Sequence, residues 1–347
     1  MLKKYYKLFI GISLVLIVLL SGYILYNYFS ARVIWKSSSV SGAAERHFIY
    51  FSQLDGIGQE QQFDVAPSVV GVMVDNHPDA YPQSGLEMAP IVYEVPVEGG
   101  ITRFIAVFPG QNLVVAKVGP VRSARPYFLD WLAEYGDAVY MHSGGSPEAL
   151  DLIKERKIFD ANEFWWGNYY WRDDERTAPH NLYTSSDNWQ KIIADDGVAR
   201  APKQWSGWKF DEQPLSASTT QSVRQIRIVY APNYKVEWSW DASKNGFTRT
   251  VNGESVNGEA EILAQNIVVQ YATVRSIDEV DRKKITTVGS GEARILRDGV
   301  MVRGTWKKDD LSSRTRFYDS VGAEIPLHPG VTWVQVVSKD ATVEVTG

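Results

Sequence analysis

Four side chains of types that move protons or hold anions stand at the ends of apolar runs or in the loops beyond them: Asp75, Arg103, His142 and His180. A histidine beside a carboxylate is a general acid or base near neutral pH. In open α/β sheets, ligands collect where strands end. The tetrad Arg122-Ser123-Ala124-Arg125 follows Gly119-Pro120 and opens a predicted helix. Two guanidinium groups, free backbone N–H groups and the positive end of a helix dipole would together hold a phosphate or a carboxylate. Asp75, His142 and His180 are therefore the candidate catalytic residues. Arg103, Arg122, Ser123 and Arg125 are candidates for binding an anionic ligand. Each has a plainer reading: turn capping for Asp75, packed and hydrogen-bonded histidines, and arginines paired to Asp130, Glu94 or Glu98.

Other residues extend or limit that chemistry. Phe164-Trp165-Trp166 and Tyr169-Tyr170-Trp171 precede the charged run Arg172-Asp173-Asp174-Glu175-Arg176. They read either as a platform on which a sugar or peptide stacks, with Trp166 and Trp171 as ligand-binding candidates, or as a loop folded over the core. Glu94 and Glu98 invite a glycosidase reading. Four residues along a strand cover about 13 Å, whereas retaining pairs need about 5–5.5 Å and inverting pairs about 6.5–9.5 Å. Unless the chain folds back sharply, these two are not the pair. His77, His142 and His180, with Asp173 or Asp174, lack any H-E-x-x-H spacing. No metal and no cofactor is assigned from the sequence.

The elements that must position these residues fall into two halves. Over 66–202 strands and helices mix. Val69–Val74, Ile91–Val97, Ile101–Phe108 and Ala138–Met141 read as apolar strands, with Gly99-Gly100 as a hairpin turn. Helices are expected over Ala124–Tyr135 with Ser123 as N-cap, from Pro147 to about Arg156 with Ser146 as N-cap, and over Ser186–Ala194. Over 203–347 helical periodicity disappears and short strands recur between Asn-Gly and Asp-Gly turns. The expected fold is therefore a mixed α+β or α/β N-terminal domain followed by an all-β C-terminal domain, a barrel or sandwich. Trp238, Trp240, Trp306 and Trp333 are spaced like strand-core residues, so the second domain reads as a binding or spacing module.

The chain of 347 residues is 44% hydrophobic and 22% charged, a composition that builds cores. A net charge of −5 argues against nucleic acid as a partner. With no cysteine, disulfides, thiolate metal sites and thiol catalysis are excluded. Lys3, Lys4 and Lys7 precede an uncharged apolar run of 19 residues, Leu8 to Tyr26. At helical rise it covers roughly 29 Å, one hydrocarbon core. The expectation is an uncleaved single-pass transmembrane anchor over 1–29 with a cytoplasmic N-terminus, a linker over 30–65, and the bulk outside the cytoplasm.

Several ordered segments carry a family likeness. They include Val72-Met73-Val74-Asp75-Asn76-His77, Val92-Tyr93-Glu94-Val95-Pro96-Val97-Glu98-Gly99-Gly100, Gly119-Pro120-Val121-Arg122-Ser123-Ala124-Arg125-Pro126 and Pro179-His180-Asn181-Leu182-Tyr183, with Gly304-Thr305-Trp306-Lys307 and Pro329-Gly330-Val331-Thr332-Trp333-Val334 further on. Over about residues 66–340 the sequence resembles the YerB-like bacterial envelope proteins. The resemblance implies a two-domain envelope protein and no particular reaction. That family is typically lipid-anchored. Here Tyr23 follows Leu20-Ser21-Gly22 where the lipid-bearing Cys would stand, so the helix itself would have to anchor. Two functions follow as expectations. One is an envelope protein that binds or processes an anionic cell-wall or lipid-linked glycan. The other is a non-catalytic scaffold or regulator that contacts wall polymer or another membrane protein.

Overall fold

The computed structural model describes residues 50–59, 68–195, 204–215, 220–256, 258 and 260–347. The apolar run 8–26 lies outside these residues. Among the described residues no helix is long and apolar enough to cross a membrane. Within the stretch expected as linker, Tyr50–Phe51 pairs with Gly58–Gln59, and Leu54 between them is buried.

In the N-terminal half, β1 (Val69–Val74) is buried along its whole length, which its unbroken apolar sequence requires of a strand covered on both faces. Strands β2 (Ile91–Pro96) and β3 (Thr102–Pro109) pair antiparallel. They turn at Glu98–Gly100, where Gly99 and Gly100 take φ 73° and 71°. Helix α1 (Pro126–Leu132) leads to β4 (Val139–His142), and α2 (Pro147–Glu155) leads to β5 (Phe159–Asn162). Strands β1, β4 and β5 run parallel. Ser146 caps α2, its Oγ accepting from the Ala149 N–H at 3.3 Å. Helix α1 departs from expectation. It starts at Pro126, with extended Arg125 in the N-cap position and no side-chain cap. Ser123 cannot cap it, because Ala124 is held in a bridge to Gly145 and the chain reaches helical geometry only at the proline. A short helix, α3 (Glu163–Trp166), and α4 (Ser186–Asp195) complete this half.

The C-terminal half is rich in strands. β6 (Gln225–Ala231), β7 (Tyr234–Asp241) and β8 (Gly246–Val251) form a meander. It is followed by β9 (Asn266–Ala272), β10 (Gly289–Arg297), β11 (Val300–Lys308), β12 (Thr332–Ser338) and β13 (Thr342–Thr346). β12 inserts parallel between β9 and β2, with Trp333 opposite Ile267 and Val92. One eleven-stranded mixed sheet therefore runs through both halves, in the order β11-β10-β9-β12-β2-β3-β1-β4-β5 with short strands on β11. β13 instead closes a five-stranded antiparallel sheet against β6. No sheet among the described residues closes into a barrel.

Two cores result. One joins the two sheets through Val72, Phe104 and Trp333 against Ile226, Val236 and Trp238. There Trp238 and Trp333 meet edge to face at 5.2 Å, an arrangement favoured by the ring quadrupoles. On the opposite face of the large sheet, Met73, Tyr93 and Ile105 pack with Phe128, Trp131 and Ile153 of α1 and α2.

Candidate functional site

The C-terminal ends of β1, β4 and β5 open onto one edge of the large sheet, and the segment 118–125 is stitched across it. The Asp75 N–H donates to the Pro120 carbonyl at 2.8 Å, and Arg122 N–H to the Met73 carbonyl at 3.0 Å. Ser143 N–H donates to the Arg122 carbonyl at 3.1 Å. Gly119 makes this path possible. Its φ is 148°, and a Cβ there would lie 2.7 Å from the Leu182 carbonyl oxygen. That close passage lets Leu182–Tyr183 and the preceding His180 reach the same edge.

At its centre Asp75 is 1% exposed. Its Oδ2 lies 2.7 Å from His180 Nδ1 and 2.9 Å from Arg122 Nε. Its Oδ1 accepts from the His77 N–H at 3.2 Å. The carboxylate thus orients the imidazole through Nδ1, and no hydrogen bond among the described residues occupies His180 Nε2. The Arg122 Nη groups likewise make no hydrogen bond among the described residues, and the side chain retains 27% of its exposure.

The other arginines are committed. Arg125 grips the Glu98 carboxylate through two nitrogens at 2.6 and 3.1 Å. Burial alone would raise the Glu98 pKa, but the hydrogen bond and charge of Arg125 hold it below the ordinary value. Arg103 is 5% exposed and donates to the Ser123 carbonyl at 2.9 Å. Burial, then the like charge of Arg125, pushes its pKa down to about 10. Ser123 thus contributes its backbone to Arg103.

His142 stands apart from the Asp75 cluster. It is fully buried, with Nε2 2.7 Å from Asp160 Oδ1 and Nδ1 2.8 Å from the Gly144 carbonyl. Both ring nitrogens are committed, which leaves neither for a ligand. Asp160, its partner, carries no sequence signal that separates it from any other strand-end carboxylate. Glu94 and Glu98 also part. Glu94 is buried between the two sheets, whereas Glu98 meets Arg125.

The aromatic run divides by exposure. Trp166 tucks against Phe159 and Tyr169 at 6.0 and 5.7 Å. Its neighbour Trp165 is 75% exposed and Phe164 65%. Phe164 lies over Gly144, beside the Ser143 backbone that bonds Arg122. Trp171 is exposed and lies tilted against Tyr183 with ring centroids 6.2 Å apart, while Arg172 bridges Glu163 and Asn181. Two cavities, one lined in part by the 50–59 segment and the other by residues between Trp205 and Gln213, contain none of Asp75, Arg122 and His180.

Fold and site together define an α+β protein of two stacked sheets, with a carboxylate–imidazole–guanidinium cluster at the ends of parallel strands. Two family models match in order, the "Protein of unknown function (DUF3048) N-terminal domain" over residues 56–199 and the corresponding C-terminal domain over 226–334. The chain belongs to this DUF3048 family. It is 32% identical over 275 residues to the Bacillus subtilis (strain 168) protein described as "Putative lipoprotein YerB", across 77% of this chain and 80% of that one. The crystal structure of the Bacillus subtilis YerB protein superposes with a TM-score of 0.73 at 30% identity, covering 85% of this chain and 99% of that one. The family likeness carried by the motifs is thereby established.

Proposed function

We propose that the chain is a membrane-associated, extracytoplasmic protein that binds an anionic cell-wall or lipid-linked glycan at the strand-end surface. The observation that carries this reading is the Asp75 cluster. One buried carboxylate holds two partly exposed side chains that keep unspent hydrogen-bonding capacity. Arg122 would bind the phosphate or carboxylate of the ligand. His180, oriented by Asp75, would accept or donate a proton if the site is catalytic. Exposed Phe164, Trp165 and Trp171 offer apolar faces for sugar rings along the same edge. Arg103 and Arg125 would set the field around the anion rather than touch it. The lipoprotein description of the relative supports a membrane location. Since this chain has no cysteine, the apolar run 8–26 would serve as its anchor.

The test is thermal unfolding of the full-length protein with inorganic phosphate, a polyprenyl phosphate analogue and muropeptides, repeated on Arg122→Gln. Ligand at a hundred times its Kd stabilises by about 2.7 kcal/mol, which for a protein of this size is a rise of roughly 5 °C. A saturable rise with one ligand class, lost in Arg122→Gln, is the expected result. A folded wild type whose Tm ignores every ligand would overturn the reading.

A further inference from the structure

His77, Asp79 and His180 come together although 103 positions separate the two histidines, and they can place one donor atom each within 4.8 Å of one another. We infer that these three residues bind a divalent first-row transition metal, with Asp75 as the outer carboxylate that orients His180. Two imidazoles and one carboxylate suit zinc and its neighbours, and three protein ligands leave a position for water or substrate.

The donors differ in how firmly they are held. His180 is fixed, because Asp75 Oδ2 takes its Nδ1 at 2.7 Å and turns Nε2 outward. A carboxylate behind a histidine is the usual outer partner of a metal-bound imidazole, fixing both tautomer and ring orientation. The turn Pro78–Ala80 carries Asp79, and His77 is its N-cap. It is clamped to the loop of His180 by Arg176, which donates to the Pro82 carbonyl at 3.0 Å, the Tyr81 carbonyl at 2.8 Å and the Asp79 carbonyl at 3.4 Å. His77 Nδ1 and Asp79 Oδ2 are 3.5 Å apart. Ligand atoms about 2.05 Å from a tetrahedral zinc are about 3.4 Å from each other, so the movement that binding requires of His77 must keep one of its ring nitrogens at about this separation from Asp79 Oδ2.

The rings of His77 and His180 stack at 4.8 Å with 17° between their planes. His77 Nδ1 also accepts the Asp79 N–H at 3.2 Å. A shared ion must lie near both ring planes, so His77 must rotate on loading. Its side chain is 42% exposed and that of Asp79 73%, so both can move to the fixed His180 by rotamer changes. The two readings share Asp75 and His180, and a metal on His180 Nε2 would take the nitrogen that proton transfer uses in the glycan reading; His77 and Asp79 belong to the metal reading alone, so their variants test it separately. Were both correct, the ion and Arg122 would flank the Asp75–His180 pair and could share one anion.

The experiment is zinc titration of tag-free full-length protein by calorimetry, with no other ligand present. One zinc per chain with a Kd of about micromolar or tighter is expected. His77→Ala and Asp79→Ala remove exposed side chains, and each should weaken binding at least roughly 10-fold. Asp75→Asn keeps all three ligands and should weaken it roughly 10–100-fold. His328→Ala, at a histidine paired with Asp298 elsewhere, should leave it unchanged. Wild-type affinity no tighter than about millimolar, or affinity unaltered in a folded His77→Ala/Asp79→Ala double variant, would overturn the inference.

Discussion

Replacing Glu94 with glutamine should destabilise the fold strongly. Glu94 is fully buried, and the Arg249 side chain beside it is 1% exposed. Glu94 Oε1 accepts from Thr102 Oγ1 at 2.8 Å, from Tyr234 OH and from Arg249 Nη2 at 3.2 Å. Oε2 accepts from Arg249 Nη2 at 3.0 Å and from Gln335 Nε2 at 3.1 Å. Every partner is a donor. A glutamine amide would set its own N–H groups against donors on one side and leave the guanidinium without a counter-charge between the sheets. Burial alone would lower the Arg249 pKa, and the Glu94 charge raises it above the ordinary value. Without that charge the guanidinium is still protonated at pH 7, because arginine is effectively always charged in proteins. Breaking a buried pair costs about 3–5 kcal/mol, against a total stability of roughly 5–15 kcal/mol. With a urea slope of about 3 kcal/mol/M, the midpoint should fall by at least roughly 1 M. Adding Arg249→Met removes the stranded charge, so the double variant should lose less than the two single variants together, by roughly 2 kcal/mol. Equilibrium urea unfolding at pH 7 measures all four proteins. A Glu94→Gln loss under about 1 kcal/mol, or a strictly additive cycle, would refute the argument that charge pairing holds the sheets together here.

Other consequences are as direct. Burial raises the pKa of Tyr93, Tyr135, Tyr140, Tyr170, Tyr230 and Tyr234, and that of Tyr81 to about 12. A raised folded-state pKa gives stability that is complete below the unfolded value near 10 and is lost as pH rises above it. The urea midpoint should therefore hold steady from about pH 8 to 9 and drop between about pH 10 and 12; an unchanged midpoint at pH 11 would count against burial of these phenols. Asp160→Ala strands the buried His142 ring and should cost about 1–3 kcal/mol in thermal unfolding. Because His142 lies outside the Asp75 cluster, any ligand-dependent rise in Tm should survive this change, and its loss would assign His142 to the site.

The sequence disclosed elements better than it disclosed their company. β1 was legible to the residue because both its faces are buried and its apolar run has no gaps. Gly99-Gly100 marked the β2–β3 turn through the positive φ that glycine tolerates. The place of β12 was not legible. An apolar run such as Thr332–Ser338 is equally suited to any central position, and its partners β9 and β2 are chosen by packing across the whole chain. The same holds for side chains. Asp75, Arg122 and His180 were visible as candidates from their types and strand-end positions. Their meeting depends on Gly119 passing Leu182, which no spacing rule encodes. Trp165 and Trp166 are adjacent and identical in type, so only the turn of α3 decides which is exposed.

Two of the buried carboxylates, Asp75 and Glu94, also explain how the candidate site is held. Asn76 follows Asp75 and is fully buried. Its Nδ2 donates to Thr102 Oγ1 and Tyr234 OH, both of which bond Glu94. Its Oδ1 accepts from Gln83 Nε2 at 3.0 Å, and the same Nε2 lies 3.2 Å from the Asp75 carbonyl. A continuous set of hydrogen bonds therefore joins the charge pair between the sheets to the backbone of the site carboxylate. The energy that fixes Asp75 is supplied by inter-sheet packing, at a distance from any ligand. That division suits a binding site, because an interior pair can be rigid while Arg122 and His180 keep free hydrogen-bonding groups at the surface. It also means that the five-stranded sheet, which supplies Tyr234 and Arg249, supports the site of the opposite half without touching it.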